Sequence, residues 1–284
     1  MIINMNKGIK IIAFLVIVML VVSMHTNEVF AAKKNTKSKS KTVDLVIFAG
    51  QSNMEGPGGN PALAPEIAKG TGYEFVDGIN FTGLKDLVEP IGMDEKGVFV
   101  GRNPGGTMAS AFAKTYYEST GVPVMAVYAA KGGTSIDGFW KHPLAQEQFL
   151  SKYTDTLNWC KKNGVTVRHK YCVWLQGESD VNTPPETYIN DISVLFAPLI
   201  DNGLEQVFIV LPGNWKYRPT AMDNVIATQK MLCENSPYFT LGTGVLHSLS
   251  EDYLVDQVHY NQVALNLAGV GAAQTASQFK VSGK

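Results

Sequence analysis

The sequence predicts an α/β protein, a three-layer α/β/α sandwich built on a five-stranded parallel sheet. From Val43 onward, short β-branched runs alternate with longer amphipathic ones, the pattern that places helices on both faces of such a sheet. Gly121, Gly164 and Gly203 each follow one of the helical stretches, where helix C-termini favour glycine. A chain of 284 residues with 45% hydrophobic content also has enough apolar material for one core of ordinary size, and no internal repeat breaks it up.

The order of elements begins outside the sheet. Lys7 and Lys10 precede an apolar run over 11–22 that is too short to span a bilayer comfortably, so residues 1–31 read as a signal peptide. Val29 and Ala31 suit cleavage after Ala31, and no Cys follows to carry a lipid. Export is therefore expected, with no stable membrane insertion after cleavage; the alternative is an uncleaved anchor. Residues 32–42 alternate Lys33, Lys34, Lys37, Lys39 and Lys41 with polar residues and read as a solvated linker. A single domain should occupy 43–284.

Within it, strands are expected over 43–48, 122–128, 169–175, 206–211 and, less regularly patterned, 239–241. Helices are expected over 107–119, 147–162, 186–200, 222–233 and 262–279, with Pro185 and Pro219 near two of the starts. The stretch 54–106 is rich in Gly and Pro without long periodicity. It should form loops, one short helix and minor strands over the sheet edge, making a pocket wall.

Composition excludes several functions. Without the lysine run the domain is acidic and has no basic, aromatic-interleaved stripe, so nucleic acid is not an expected partner. Cys160, Cys172 and Cys233 are odd in number and lack C-x-x-C spacing, which suits free thiols. No G-x-S-x-G, H-E-x-x-H, P-loop or dinucleotide fingerprint occurs, so neither a metal nor a nucleotide cofactor is implied.

The chemistry-bearing residues lie at strand ends. Ser52 follows the first strand, where open α/β sheets gather ligands, although a serine there also serves simply as a helix cap. Asp256 and His259 stand three residues apart before the last helix. A hydroxyl needs an imidazole to take its proton, and the imidazole needs a carboxylate to fix its tautomer. Ser52, His259 and Asp256 fit those roles; taken alone, Asp256 equally suits a helix cap beside a solvated His259.

Four ordered blocks carry a resemblance: Gly50-Gln51-Ser52-Asn53-Met54, Lys131-Gly132-Gly133-Thr134-Ser135, Trp174-Leu175-Gln176-Gly177-Glu178-Ser179-Asp180, and Asp256 to His259. Together they resemble the SGNH hydrolases, and within them the sialate O-acetylesterases and the acetyl xylan esterases of carbohydrate esterase family six. The resemblance implies a flavodoxin-like fold and a serine acetylesterase with Ser52, His259 and Asp256 as its triad. For the oxyanion hole it implies the Ser52 N–H, the Gly132 N–H (Gly133 remaining open) and Gln176, which stands where many SGNH enzymes carry an Asn. Glu178 and Asn53 then brace the nucleophile loop from behind, with Asp180 a further loop-fixing residue. Trp140 and Trp215 follow strand-end loops and are candidates for stacking on sugars, whereas Trp174 belongs to the core. The implied substrate is acetylated carbohydrate, with xylan favoured over sialic acid by the compact length. The rivals are a lipase or thioesterase of the same superfamily and a non-catalytic carbohydrate-binding or wall-associated protein.

Overall fold

The structure, a computed structural model, describes residues 41–101 and 105–280. The expected signal peptide, its cleavage after Ala31 and the linker up to Ser40 lie outside the described residues. The linker expected over 32–42 does not extend to its last two positions. Lys41 and Thr42 already pair with Val165 and Thr166 of a neighbouring strand, and the Lys41 ammonium lies 3.8 Å from the centre of the Tyr73 ring.

Seven strands, β1 (Lys41–Gly50), β2 (Gly72–Asp77), β3 (Thr82–Asp86), β4 (Val124–Ala130), β5 (Val165–Leu175), β6 (Gln206–Val210) and β7 (Phe239–Thr243), form one sheet in the order β3-β2-β4-β1-β5-β6-β7. Every neighbouring pair is parallel except β2 with β3. The five expected strands are all present, but the sheet has seven rather than five. The two additions come from the stretch assigned mainly to loops. Glu74 sits fully buried in the middle of β2, where a charge hides the apolar run. It is accommodated because Gly92 N–H donates to it at 2.7 Å and the Lys85 ammonium stands 3.2 Å away. β3 is only five residues and half polar, so it shows no alternation.

The helices are α1 (Ser52–Glu55), α2 (Ala109–Thr120), α3 (Pro143–Lys162), α4 (Pro185–Asp201), α5 (Asp223–Asn235), α6 (Val245–Ser248) and α7 (Gln262–Gln278). Pro185 opens α4 as expected, but Pro219 lies ahead of α5 in a turn. α3 begins a turn earlier than its periodicity suggested, with Pro143 as its first residue and His142 Nδ1 capping the Leu144 N–H at 3.3 Å. Gly121, at φ 68°, ends α2.

Alternate residues of β1 feed two cores. Val43, Leu45, Ile47 and Ala49 pack under α3, α4 and α5 with Phe149, Tyr153, Ile192, Phe196 and Val225. Val46 and Phe48 face α2 and α7 with Phe112, Tyr116, Leu265 and Ala268. A strand buried on both faces is apolar throughout, which is why β1 reads as a continuous run. Its one buried charge, Asp44, is paired with Arg168 and accepts from Tyr116 Oη at 2.8 Å and the His169 N–H at 3.0 Å. No described helix is long and apolar enough to cross a membrane. All three cysteines are free, Cys160 and Cys172 buried and Cys233 partly so.

Candidate active site

The site is assembled where β1, β4 and β5 end. Gly50 closes β1 at φ 143°, and a Cβ there would lie 1.9 Å from the Leu175 carbonyl oxygen, so only glycine allows this approach. The Gln51 N–H then donates to that carbonyl at 3.0 Å, and the chain turns into α1 with Ser52 as its first residue. The turn leaves the Ser52 hydroxyl at a cleft and its N–H without an acceptor among the described residues.

His259 reaches the same cleft from the loop before α7. Its Nδ1 lies 2.7 Å from Asp256 Oδ2, and Asp256 Oδ1 accepts the N–H groups of Val258 and His259, both at 2.8 Å. Partial burial works to raise the Asp256 pKa, but these donors and the His259 ring outweigh it and hold the carboxyl below its ordinary value. A carboxylate on Nδ1 places the ring proton there and leaves Nε2 as the basic nitrogen. The loop itself is fixed by Val255 N–H to His259 C=O at 2.9 Å and by Asn261, whose side chain caps α7 at the Ala264 N–H, 3.1 Å.

One buried side chain ties the two loops together. Asn53 Nδ2 donates to Glu178 Oε1 at 2.7 Å and to Val258 C=O at 3.0 Å, while Asn53 Oδ1 accepts the Tyr260 N–H at 3.0 Å. Residues on both sides of His259 are thereby registered to the residue after Ser52. Burial pushes the Glu178 pKa up, against the Asn53 hydrogen bond that lowers it, and Glu178 Oε2 is buried with no hydrogen-bond partner.

The cleft encloses ≈ 560 Å³, and its walls include Ser52, Glu55, Lys131, Gly132, Trp215 and His259. Gly132 stands beside Ser52, since a Cβ on it would lie 3.4 Å from Ser52 Cβ. Its N–H, however, donates to Glu55 Oε2 at 2.8 Å. Gly133 also lines the cleft, and its N–H meets no acceptor among the described residues.

Gln176 requires a correction. It is fully buried and absent from the cleft wall; its Nε2 donates to Thr134 C=O at 3.1 Å and to Asp180, while its Oε1 accepts from Tyr188 Oη at 3.0 Å. Both amide hydrogens are thus committed to the interior. The glutamine that faces the cleft is Gln51. Its Oε1 is taken by the Ser179 N–H at 3.3 Å and Gln176 Nε2 at 3.4 Å, while its own Nε2, beside Ser52, has no acceptor among the described residues. Gln51 stands in the first motif, but residue type alone does not separate the two glutamines.

Asp180 is a brace as expected, accepting from the Ile136 N–H at 3.0 Å and Thr183 Oγ1 at 3.0 Å. Trp140 does not stack on a ligand: it is fully buried between Phe99 and Trp174, with Nε1 donating to Thr134 Oγ1 at 3.2 Å. Trp174 is core as expected, and Trp215 lines the cleft with the Arg218 guanidinium 5.0 Å over its ring. No cluster of three or more metal-binding side chains occurs among the described residues.

Comparison with known proteins follows the same lines. The family model described as carbohydrate esterase, sialic acid-specific acetylesterase, matches residues 42–278. No curated protein matches the chain. An Arabidopsis thaliana protein of solved structure superposes with a TM-score of 0.64 at 22% identity, covering 84% of this chain and 99% of that one. NanS gives 0.55 at 12% identity over 84% and 98% of the two chains. A carbohydrate acetylesterase from Xanthomonas citri gives 0.51 at 17% identity, covering 82% of this chain and 57% of its own. At these identities the likeness is one of fold.

Proposed function

Because the chain belongs to the carbohydrate esterase, sialic acid-specific acetylesterase family, we propose that it is an exported serine esterase removing O-acetyl groups from polysaccharide, with acetylated xylan as the substrate. The observation that carries the serine mechanism is the placement of Ser52 and His259 in one cleft, with Asp256 Oδ2 2.7 Å behind the imidazole.

Ser52 Oγ attacks the acetyl carbonyl as His259 Nε2 accepts its proton. The tetrahedral intermediate collapses, the sugar oxygen leaves with the proton from His259, and acetyl-Ser52 remains. Water, deprotonated by the same nitrogen, then releases acetate and restores the hydroxyl. In each half the oxyanion receives the Ser52 N–H and the Gln51 side-chain amide, two of the cleft donors that meet no acceptor among the described residues. Gly132 contributes the missing Cβ that leaves room for the acyl group, and its N–H becomes a third donor when Glu55 yields it. The basic residues Lys7 and Lys10, the apolar run after them and Ala31 support export.

Sialic acid is the second reading, favoured by Lys131 in the cleft wall, which suits an anionic sugar. Acetate release from acetylated xylan and from O-acetylated sialic acid, measured side by side, decides between them; a strong sialate preference overturns the xylan assignment. Aryl acetate hydrolysis that survives Ser52→Ala overturns the serine mechanism.

A further inference from the structure

A second cavity of ≈ 600 Å³ opens under the β2–β3 hairpin, lined by Ile79, Asn80, Phe81, Lys85, Met93, Asp94 and Glu95. None of its residues takes part in the chemistry at Ser52. The hairpin tip is held closed by Gly78 N–H to Phe81 C=O at 2.9 Å, yet it presents Ile79 at 87% and Phe81 at 49% exposure. Apolar side chains displayed on a fixed turn beside a cavity offer contact surface at little ordering cost.

Polar groups at the same place are either open or orphaned. The exposed Asn80 side chain makes no hydrogen bond among the described residues. Glu95 is buried: Oε2 accepts from the Asp77 N–H at 3.2 Å and Lys152 Nζ at 2.5 Å, while Oε1 has no partner. An aromatic face and an open amide are what the C–H faces and hydroxyls of a sugar require, and the buried Glu95 oxygen lies behind them, out of a ligand's reach. The charges point to a neutral one. Lys85, the lining cation, is already engaged by Asp94 at 2.8 Å and Glu74 at 3.2 Å, so it is not open to a sugar carboxylate.

Position links this cavity to the active cleft. β2 runs parallel to β4, and β4 to β1, so the hairpin tip leaves the sheet at the same edge as Ser52. Two inter-strand spacings separate β2 from β1, about 10 Å, a gap a few sugar units bridge. β4 lies between β2 and β1 in the sheet, and the loop after it, with Lys131, Gly132 and Gly133, belongs to the wall of the active cleft.

We infer that the Phe81 cavity is a distal subsite for a neutral, unacetylated stretch of the same polysaccharide chain whose acetyl ester sits at Ser52. This rests on the esterase reading above, and the test separates the two. Wild type and Phe81→Ala and Asn80→Ala variants are assayed on acetylated xylo-oligosaccharides of increasing length, and binding of deacetylated xylohexaose is measured by calorimetry on Ser52→Ala. Wild type should favour the hexamer over the dimer in kcat/KM by about tenfold, a ratio that Phe81→Ala cuts to about threefold or less. Xylohexaose should bind Ser52→Ala and bind more weakly when Phe81→Ala is added. Equal use of dimer and hexamer, or a ratio that Phe81→Ala and Asn80→Ala leave intact, overturns the subsite while aryl acetate hydrolysis keeps the esterase. Loss of aryl acetate hydrolysis in the wild type itself overturns the esterase instead.

Discussion

Replacing Asn53 by alanine tests whether one side chain sets the register of nucleophile and base. The change removes hydrogen bonds of 2.7, 3.0 and 3.0 Å and leaves the Tyr260 N–H and Glu178 Oε1 buried without partners, while Val258 C=O, partly buried, regains some water. Each fully buried orphan costs about 1–3 kcal/mol, so the two together come to about 2–6 kcal/mol, a large share of the about 5–15 kcal/mol that holds a typical domain together. Glu178 suffers most, since its second oxygen already lacks a partner. The surviving folded protein should be a poor catalyst, because a displacement of about 1 Å at the base costs on the order of a hundredfold. Urea denaturation followed by tryptophan fluorescence gives the stability, and aryl acetate kinetics on the folded fraction give kcat and KM separately. The loss should fall on kcat, since the small ester binds without help from Asn53. Asn53→Asp keeps the acceptor for Tyr260 but sets a carboxylate against Glu178, so it should be worse at neutral than at acid pH, where protonation relieves the repulsion. An Asn53→Ala enzyme with wild-type midpoint and kcat refutes the argument.

Three further outcomes follow from the geometry. Gln51→Ala should lower kcat on the order of a hundredfold with KM little changed, as for the loss of an oxyanion donor, whereas Gln176→Ala should act chiefly on the melting temperature; the reverse pattern returns the role to Gln176. Gly50→Ala should yield no folded enzyme by circular dichroism, because the new Cβ would lie 1.9 Å from the Leu175 oxygen at a φ of 143°. Glu74, whose pKa burial raises to about 6 against the Gly92 and Lys85 contacts that lower it, holds a proton in the folded chain that the unfolded chain loses near 4.5. Stability should therefore fall by about 2 kcal/mol as pH rises through that window and stay flat above it, and Glu74→Gln should remove the slope in denaturation curves taken on either side.

The legible part of the fold was the part dominated by one physical signal. β1, β4, β6 and the second half of β5 are apolar because they are buried on both faces, and each strand, the half-exposed edge strand β7 included, is placed by the sequence within a few residues. β2 is not, because Glu74 is paid for by Gly92 and Lys85, partners that no local window contains. Trp140 misled for the same reason. It follows a strand-end loop, where exposure is the rule, but Asp180 holds the Ile136 N–H and Thr134 takes the indole N–H, folding Ile136–Trp140 down onto Phe99.

At the site, type and order were readable while orientation was not. Gln51 and Gln176 carry the same amide and touch through one hydrogen bond, Gln176 Nε2 to Gln51 Oε1 at 3.4 Å, so residue type makes either a candidate donor. What separates them is the turn at Gly50, which brings Gln51 to the cleft, and the Tyr188 hydroxyl and Asp180 carboxylate, which draw Gln176 inward. The three segments that meet here are each polar beyond what their own neighbours can satisfy: Asn53 needs Glu178 and Val258, Gln51 needs Ser179, and the Tyr260 N–H needs Asn53. Separated strings of that kind signal mutual satisfaction in the fold, because a buried amide or carboxylate with no local partner must find a remote one. The order of the strings therefore discloses that they converge, and only the folded backbone decides which of their atoms are left over to touch a substrate.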